Sequence, residues 1–339
     1  MNSDLAFADN PILASVWRGG WVESVHRGTW VVVDGEGHVL HGSGAHGDPI
    51  FARSSVKALQ ALPLIESGAA GHFRYSEADI ALALSSHSGE PQHTERVLDI
   101  LARVGLTGFA LKCGSSPPAD RAAREALKEA GETPSAIHHF CSGKHAGFLA
   151  LATHLGVDPE SYLDTESASQ QAVRQALLEM TCLSGDQVSV AIDGCSAPTF
   201  RLPLHALARA FARLTTPRDL DSTRKATCER LVAAVRANPE LIAGRRRRLC
   251  TALSKVSEGQ LFPKVGAEGV YVVGRVGHDQ ALAVKMDDGG QRGLQAVTVE
   301  LMKHLQWLDP DAIEELSKYR AYVQRNDARL LTGTFEVEL

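Results

Sequence analysis

The order of apolar and polar positions divides the chain into a β start, a helical middle and a return to β. From Leu13 to His41 the pattern is that of an antiparallel meander. Trp21 to Val25 and Thr29 to Asp34 are rich in strand formers, and Gly35-Glu36-Gly37 reads as a hairpin turn. After Ser54 the spacing becomes helical, over Val56 to Glu66, Glu77 to Leu84, Thr94 to Val104 and Ala119 to Ala130. Pro63 is expected to kink or end the first of these, because it lacks an N–H and crowds the preceding turn. Further helical runs cover Lys144 to Leu155, Glu166 to Leu183, Leu204 to Leu214 and Thr223 to Ala237, interrupted by the strand-length apolar run Val188 to Asp193. Strand signals return at Val270 to Val276 and Ala281 to Met286, with Gly277-His278-Asp279 as the turn. An amphipathic helix from Leu294 to Leu305 follows, and Leu330 to Leu339 reads as an edge strand.

Strands at both ends with helices between them predict an α/β fold of the α+β kind, in which an antiparallel sheet built from both termini is flanked by helices. The expected organisation is a single two-lobed unit over residues 1–339. One α/β lobe would use 1–53 plus 256–339, a mainly helical lobe would use 54–255, and the site would lie at their seam. No repeat, low-complexity tract or Pro/Gly-rich linker divides the chain.

A net charge of -5 and a pI near 6.3 give no general attraction to nucleic acid. Met1 to Trp17 has no basic leader and no apolar run of signal or membrane length, so a cytoplasmic protein is expected, with no membrane partner. Six widely spaced cysteines, at 113, 141, 182, 195, 228 and 250, are expected to be free thiols. Arg245 to Arg248 reads as a solvated helix start.

Candidate chemistry begins at Ser54 and Lys57, an SxxK pair at the change from strand to helix. Positions three apart share a helix face, so the amine is expected to reach the hydroxyl and serve as its base. That requires a depressed lysine: moving from about 10.4 to about 7.5 is worth roughly 4 kcal/mol between the two protonation states. Ser85-Ser86-His87-Ser88-Gly89-Glu90-Pro91 then crowds hydroxyls, an imidazole and a carboxylate between two helices, where a second serine can pass a proton and the turn can bind a polar substrate. An ordinary polar connection explains the same letters. Cys141-Ser142-Gly143-Lys144-His145 opens a helix, and Asp193-Gly194-Cys195 ends a strand. Two thiolates with Lys144 or His145 and a water would make a zinc site, although lysine must first lose its proton. Lys264 and Glu268, among glycines in Leu261 to Tyr271, can read a zwitterion or simply enter a hairpin.

Taken together, RSSVKALQALP at 53–63, SSHSGEPQH at 85–93, CSGKHAGFLA at 141–150, DGCSAP at 193–198 and KVGAEGVY at 264–271 resemble the asparaginase II family of the thermolabile, rhizobial type. The resemblance implies a fold similar to serine β-lactamases and glutaminases, and the hydrolysis of L-asparagine to L-aspartate and ammonia. It implies Ser54 as nucleophile, Lys57 as its base, and Ser86 with Lys264 as a second serine–lysine pair. Cys141, Lys144 and Cys195 match zinc ligands, with water as the fourth. Arg53, His145 and Asp193 fall at positions of the family's polar pocket, to which the residues add His87, Glu90 and Glu268 as substrate contacts. The family also implies a homodimer. Two alternatives stay open: a glutaminase or other SxxK acyl hydrolase, and a zinc-dependent amino-acid-binding protein without turnover.

Overall fold

The computed structural model describes residues 10–320 and 324–339. Its eleven described strands are β1 (Ile12–Arg18), β2 (Trp21–Val33), β3 (Val39–Ser43), β4 (Pro49–Phe51), β5 (Ser189–Ile192), β6 (Pro198–Pro203), β7 (Leu261–Gly266), β8 (Val270–Arg275), β9 (Gln280–Met286), β10 (Gln324–Arg325) and β11 (Leu331–Val337). The main antiparallel sheet has the order β10-β11-β1-β2-β9-β8-β7, with β3 also paired to β2. Residues from both ends of the chain therefore meet in one sheet, as the strand pattern predicts.

The central strands explain their own composition. Trp30 to Val33, Val270 to Val273 and Ala281 to Val284 are buried at every position rather than alternately. That requires cover on both faces. The helices Leu204–Thr215 and Gln291–His304 both pack on β8 and β9 and supply it.

Four details differ from the sequence expectation. The two strands expected around Trp21 and Thr29 are one long strand, and the first turn lies at Gly19-Gly20, both with positive φ. The run expected from Val56 to Glu66 is a 3-10 turn at Arg53–Val56 followed by the short helices Lys57–Gln60 and Leu62–Glu66. Pro63 sits in the first turn of the last, where its missing N–H costs nothing. The C-terminal strand β11 is interior, between β10 and β1. A second sheet, β4-β6-β5, joins residues 49–51 to 189–203 and had no clear signal beyond Val188 to Asp193.

Between the parts of the main sheet the chain is largely helical. We label α1 (Glu77–Ala83), α2 (Pro91–Val104), α3 (Ser142–His154) and α4 (Leu249–Val256). Helix α3 is buried on all sides from Ser142 to Ala152, so its sequence shows no amphipathic stripe. No helix among the described residues is long and apolar enough to cross a membrane.

Candidate active site

The 3-10 turn carrying Ser54 packs on β7. Gly266 on that strand permits the approach: a β-carbon there would lie 2.7 Å from Ala52 O and 3.3 Å from Ser55 N. Arg53 adopts φ 52°, uncommon for a residue with a side chain. Its guanidinium meets Asp193 at 2.7 Å from Nη2 and 2.9 Å from Nε, tying the Ser54 turn to the loop of Cys195. Burial opposes the Asp193 charge, but Arg53 outweighs it and holds the carboxyl below its usual range.

Ser86 is brought to the same region by backbone pairing on two sides. Its N–H donates to Ile242 O at 2.9 Å, and the next N–H, of His87, donates to Phe140 O at 3.1 Å. Gly143 allows α3 to touch the end of α1, since a β-carbon there would lie 2.4 Å from Leu82 O. That contact sets Cys141 and the start of α3 beside Ser85 and Ser86.

Two amines converge on the Ser86 hydroxyl. Lys264 on β7 donates to Ser86 Oγ at 2.8 Å, and Lys57 donates to the same oxygen at 3.1 Å. Lys57 also donates to Ser85 O at 2.6 Å and Cys141 Sγ at 3.2 Å. All four residues are buried, the lysines completely: Ser54 and Ser86 keep 8% and 6% exposure against 1% and 0% for Lys57 and Lys264. Burial, reinforced by the neighbouring Lys57 charge, brings Lys264 down to about 7. Burial likewise lowers Lys57, with Cys141 opposing and Lys144 adding to the effect.

The expected contact between Lys57 and Ser54 is not present. Lys57 spends its three donors on Ser85, Ser86 and Cys141, and the Ser54 hydroxyl makes no hydrogen bond among the described residues. The reason is a competing environment: the buried Lys57 amine finds its acceptors on Ser85, Ser86 and Cys141 rather than in the Ser54 turn.

The two thiols meet next to this group. Lys144 donates to Cys195 Sγ at 3.2 Å, and Cys141 accepts a hydrogen bond from Cys195. Burial penalises a Cys141 thiolate, yet the Cys195 hydrogen bond and the Lys57 and Lys144 charges outweigh it and hold the thiol well below its usual value. Cys195 is raised, first by that same hydrogen bond and then by burial. His145 shares a hydrogen bond with Tyr162 Oη at 2.6 Å through Nδ1, and Cys195 interacts with the same ring. Burial brings its imidazole down to about 4, so it is neutral. The two sulfurs are donors of the kind zinc takes, and Lys144 is the third side chain that meets them. Among the described residues no group of three or more His, Cys, Asp or Glu side chains is placed to hold a metal, so three protein ligands here require Lys144.

Three residues expected to touch substrate have other neighbours in the structure. His87 Nδ1 accepts the Gly89 N–H at 3.1 Å, which places its proton on Nε2, 2.9 Å from Ser142 Oγ. Both nitrogens are thus used inside the protein, and the ring stacks on His93 at 4.8 Å. Glu90 accepts from Arg245 N and Gln92 Nε2, both at 2.9 Å, and anchors the 244–248 loop. Glu268 lies exposed in the turn between β7 and β8, its carboxylate over Gly289. Sequence reasoning missed Arg248, which turns inward to donate to Ser86 O at 2.6 Å and Ser88 Oγ at 2.9 Å instead of continuing the solvated run. Its three exposed arginine neighbours hid it.

The sequence profile described as L-asparaginase II matches residues 14–337. This chain belongs to the L-asparaginase II family. The profile spans every segment of the site, from the Ser54 turn to β7, and supports an amidohydrolase. Among curated proteins none matches the chain. Among solved structures, the protein designated Mglu in its tris and glutamate form is 14% identical, with a TM-score of 0.40 over 90% of this chain and 65% of its own length. A β-lactamase from Mycobacterium bovis is 15% identical, with a TM-score of 0.38 over 82% of this chain and 94% of its own. The L-asparaginase II family member therefore spans slightly under two thirds of Mglu.

Proposed function

We propose that the protein is an L-asparagine amidohydrolase, releasing aspartate and ammonia. The observation that carries this reading is the Ser86 hydroxyl held between two sealed amines, one of them brought near neutrality. Buried lysines of this kind can act as bases at physiological pH.

Ser54 is the proposed nucleophile. Its unengaged hydroxyl attacks the side-chain amide carbon, and its proton passes through Ser86 to a neutral amine. The amine returns the proton to the departing ammonia, leaving a β-aspartyl ester that water hydrolyses. A second reading has its own support: Ser86, not Ser54, is the hydroxyl bonded to lysine, so Ser86 itself can attack. Acid-quenched enzyme mixed with L-asparagine and mapped by peptide mass spectrometry separates the two. The expected β-aspartyl adduct lies on the peptide containing Ser54. An adduct confined to the Ser86 peptide favours the second reading, and steady turnover that survives in both Ser54→Ala and Ser86→Ala excludes both.

Cys141, Lys144 and Cys195 are the proposed zinc ligands, with His145 beside them. When bound, the ion supplies positive charge next to the serine and lysine group. Protein prepared without chelator is expected to carry about one zinc per chain by elemental analysis, lost in the Cys141→Ser, Cys195→Ser double variant. Zinc retained by that variant contradicts the assignment. A cytoplasmic location, expected from the N-terminal sequence, and a homodimer, implied by the family resemblance, complete the proposal.

A further inference from the structure

Arg248 is a cation with no acid to pair with. Two of its five N–H donors are engaged, on Ser86 O and Ser88 Oγ, so three remain. No carboxylate among the described residues forms an ion pair with it. Glu90, the acid whose charge acts on it, is committed to Arg245 N and Gln92. Burial pulls the guanidinium below its ordinary value, against the opposition of Cys250, Tyr271, Glu90 and Tyr319. Its charge is also felt at Lys264.

Three cationic side chains, Lys57, Lys264 and Arg248, therefore surround one serine. Lysine can shed its proton there, but arginine cannot. A fixed, partly buried positive charge with donors to spare is a ready partner for an anion. The planar fork suits a carboxylate, which it can hold in two parallel hydrogen bonds.

We propose that Arg248 receives the α-carboxylate of the amino-acid amide substrate. Holding the carboxylate at the carbonyl side of Ser86 leaves the side-chain amide, two carbons away, to reach the hydroxyls. Arg248 is thus a specificity-determining residue: it selects acidic amides and excludes amides that lack the carboxylate. This rests on the amidohydrolase reading above.

The test compares wild type, Arg248→Met and Arg248→Lys on L-asparagine and on 3-aminopropanamide, the same molecule without its carboxylate. For Arg248→Met, KM for asparagine is expected to rise roughly 30-fold or more with kcat changed little, from loss of one charged pair. Hydrolysis of 3-aminopropanamide, which does not use the carboxylate site, is expected to fall far less than that of asparagine, by no more than the lost Ser86 and Ser88 hydrogen bonds cost, and Arg248→Lys is expected to recover part of the asparagine KM. Equal losses on both substrates, or an unchanged asparagine KM, overturn the proposal in favour of a purely structural role at Ser86 and Ser88. Calorimetric binding of L-aspartate to the same three proteins keeps the question separate from turnover. If wild type binds aspartate, Arg248→Met does not and no amide is hydrolysed, the amidohydrolase reading fails while the carboxylate site stands. If all three bind alike, or none binds, the carboxylate site fails.

Discussion

Lys264 is the residue on which the chemistry is most sharply tested. It has no carboxylate among its hydrogen-bond partners, which are Ser86 Oγ and Val265 O, and it is fully buried. A charge in that position is penalised, so the amine is expected to lose its proton near pH 7. The sign follows: the neutral amine is the active base, so log kcat/KM should rise with pH through about 7 and level off above it. Lys264→Met should remove that limb and reduce turnover by roughly 10²- to 10⁴-fold, the usual worth of a positioned acid or base. An unchanged profile in the variant would exclude the amine from the proton path. The same burial separates what the residue letters reveal from what they hide. Ser54, Lys57, Ser86 and Lys264 are all visible as candidates, yet their pairing is not. The SxxK spacing promises a shared face, but the buried Lys57 amine turns to acceptors on Ser85, Ser86 and Cys141, all distant in sequence. Arg248 was invisible for another reason: four consecutive arginines look alike until the loop folds.

At the scale of elements, the site depends on helices held in register. Asp79 on α1 is nearly fully buried and receives Arg96 at 2.8 Å and Arg103 at 2.9 Å, both from α2. It also closes a capping box with Ser76. Burial raises the cost of its charge, but the Arg96 hydrogen bond and the Ser76 and Arg103 bonds outweigh it, so its pKa is lowered in the fold. The stabilisation is therefore present above the unfolded value near 3.9 and is lost as pH falls through the lower folded value. Asp79→Asn should cost about 3 kcal/mol at pH 7, since both guanidinium groups keep some solvent, and the difference from wild type should shrink below pH 4. Denaturant unfolding at pH 7 and pH 3.5 measures it; a difference independent of pH would assign the loss to packing. These helices were legible in sequence almost to their ends, because α2 has a strong apolar stripe and a Gly105 stop. The short strands β4 and β6 were not: Pro49, Pro198 and Pro203 obscure a β pattern whose pairing depends on distant partners.

Across the whole molecule, the two chain ends build the sheet and the middle supplies the hydroxyls and thiols. Lys264 comes from β7, Ser54 from the turn packed on it, Ser86 from the end of α1, and the thiols from α3 and the loop after β5. Such a site assembles only when all of these elements dock, which explains why five separated sequence segments were needed to recognise it. The alternation of strand and helix texture sufficed for the fold class, since each element buries a face and the ends have only each other to pair with. The interior place of β11 was not legible, because Leu331 to Val337 is half-exposed and resembles an edge strand. The most direct measurement of the central claim is ammonia release from L-asparagine and L-glutamine, side by side, by wild type and Ser54→Ala of matched circular dichroism. The expected result is release by wild type with asparagine preferred, and a fall of at least roughly 10³-fold in the variant. Near-normal release by folded Ser54→Ala, or none by the zinc-loaded wild type, would contradict it.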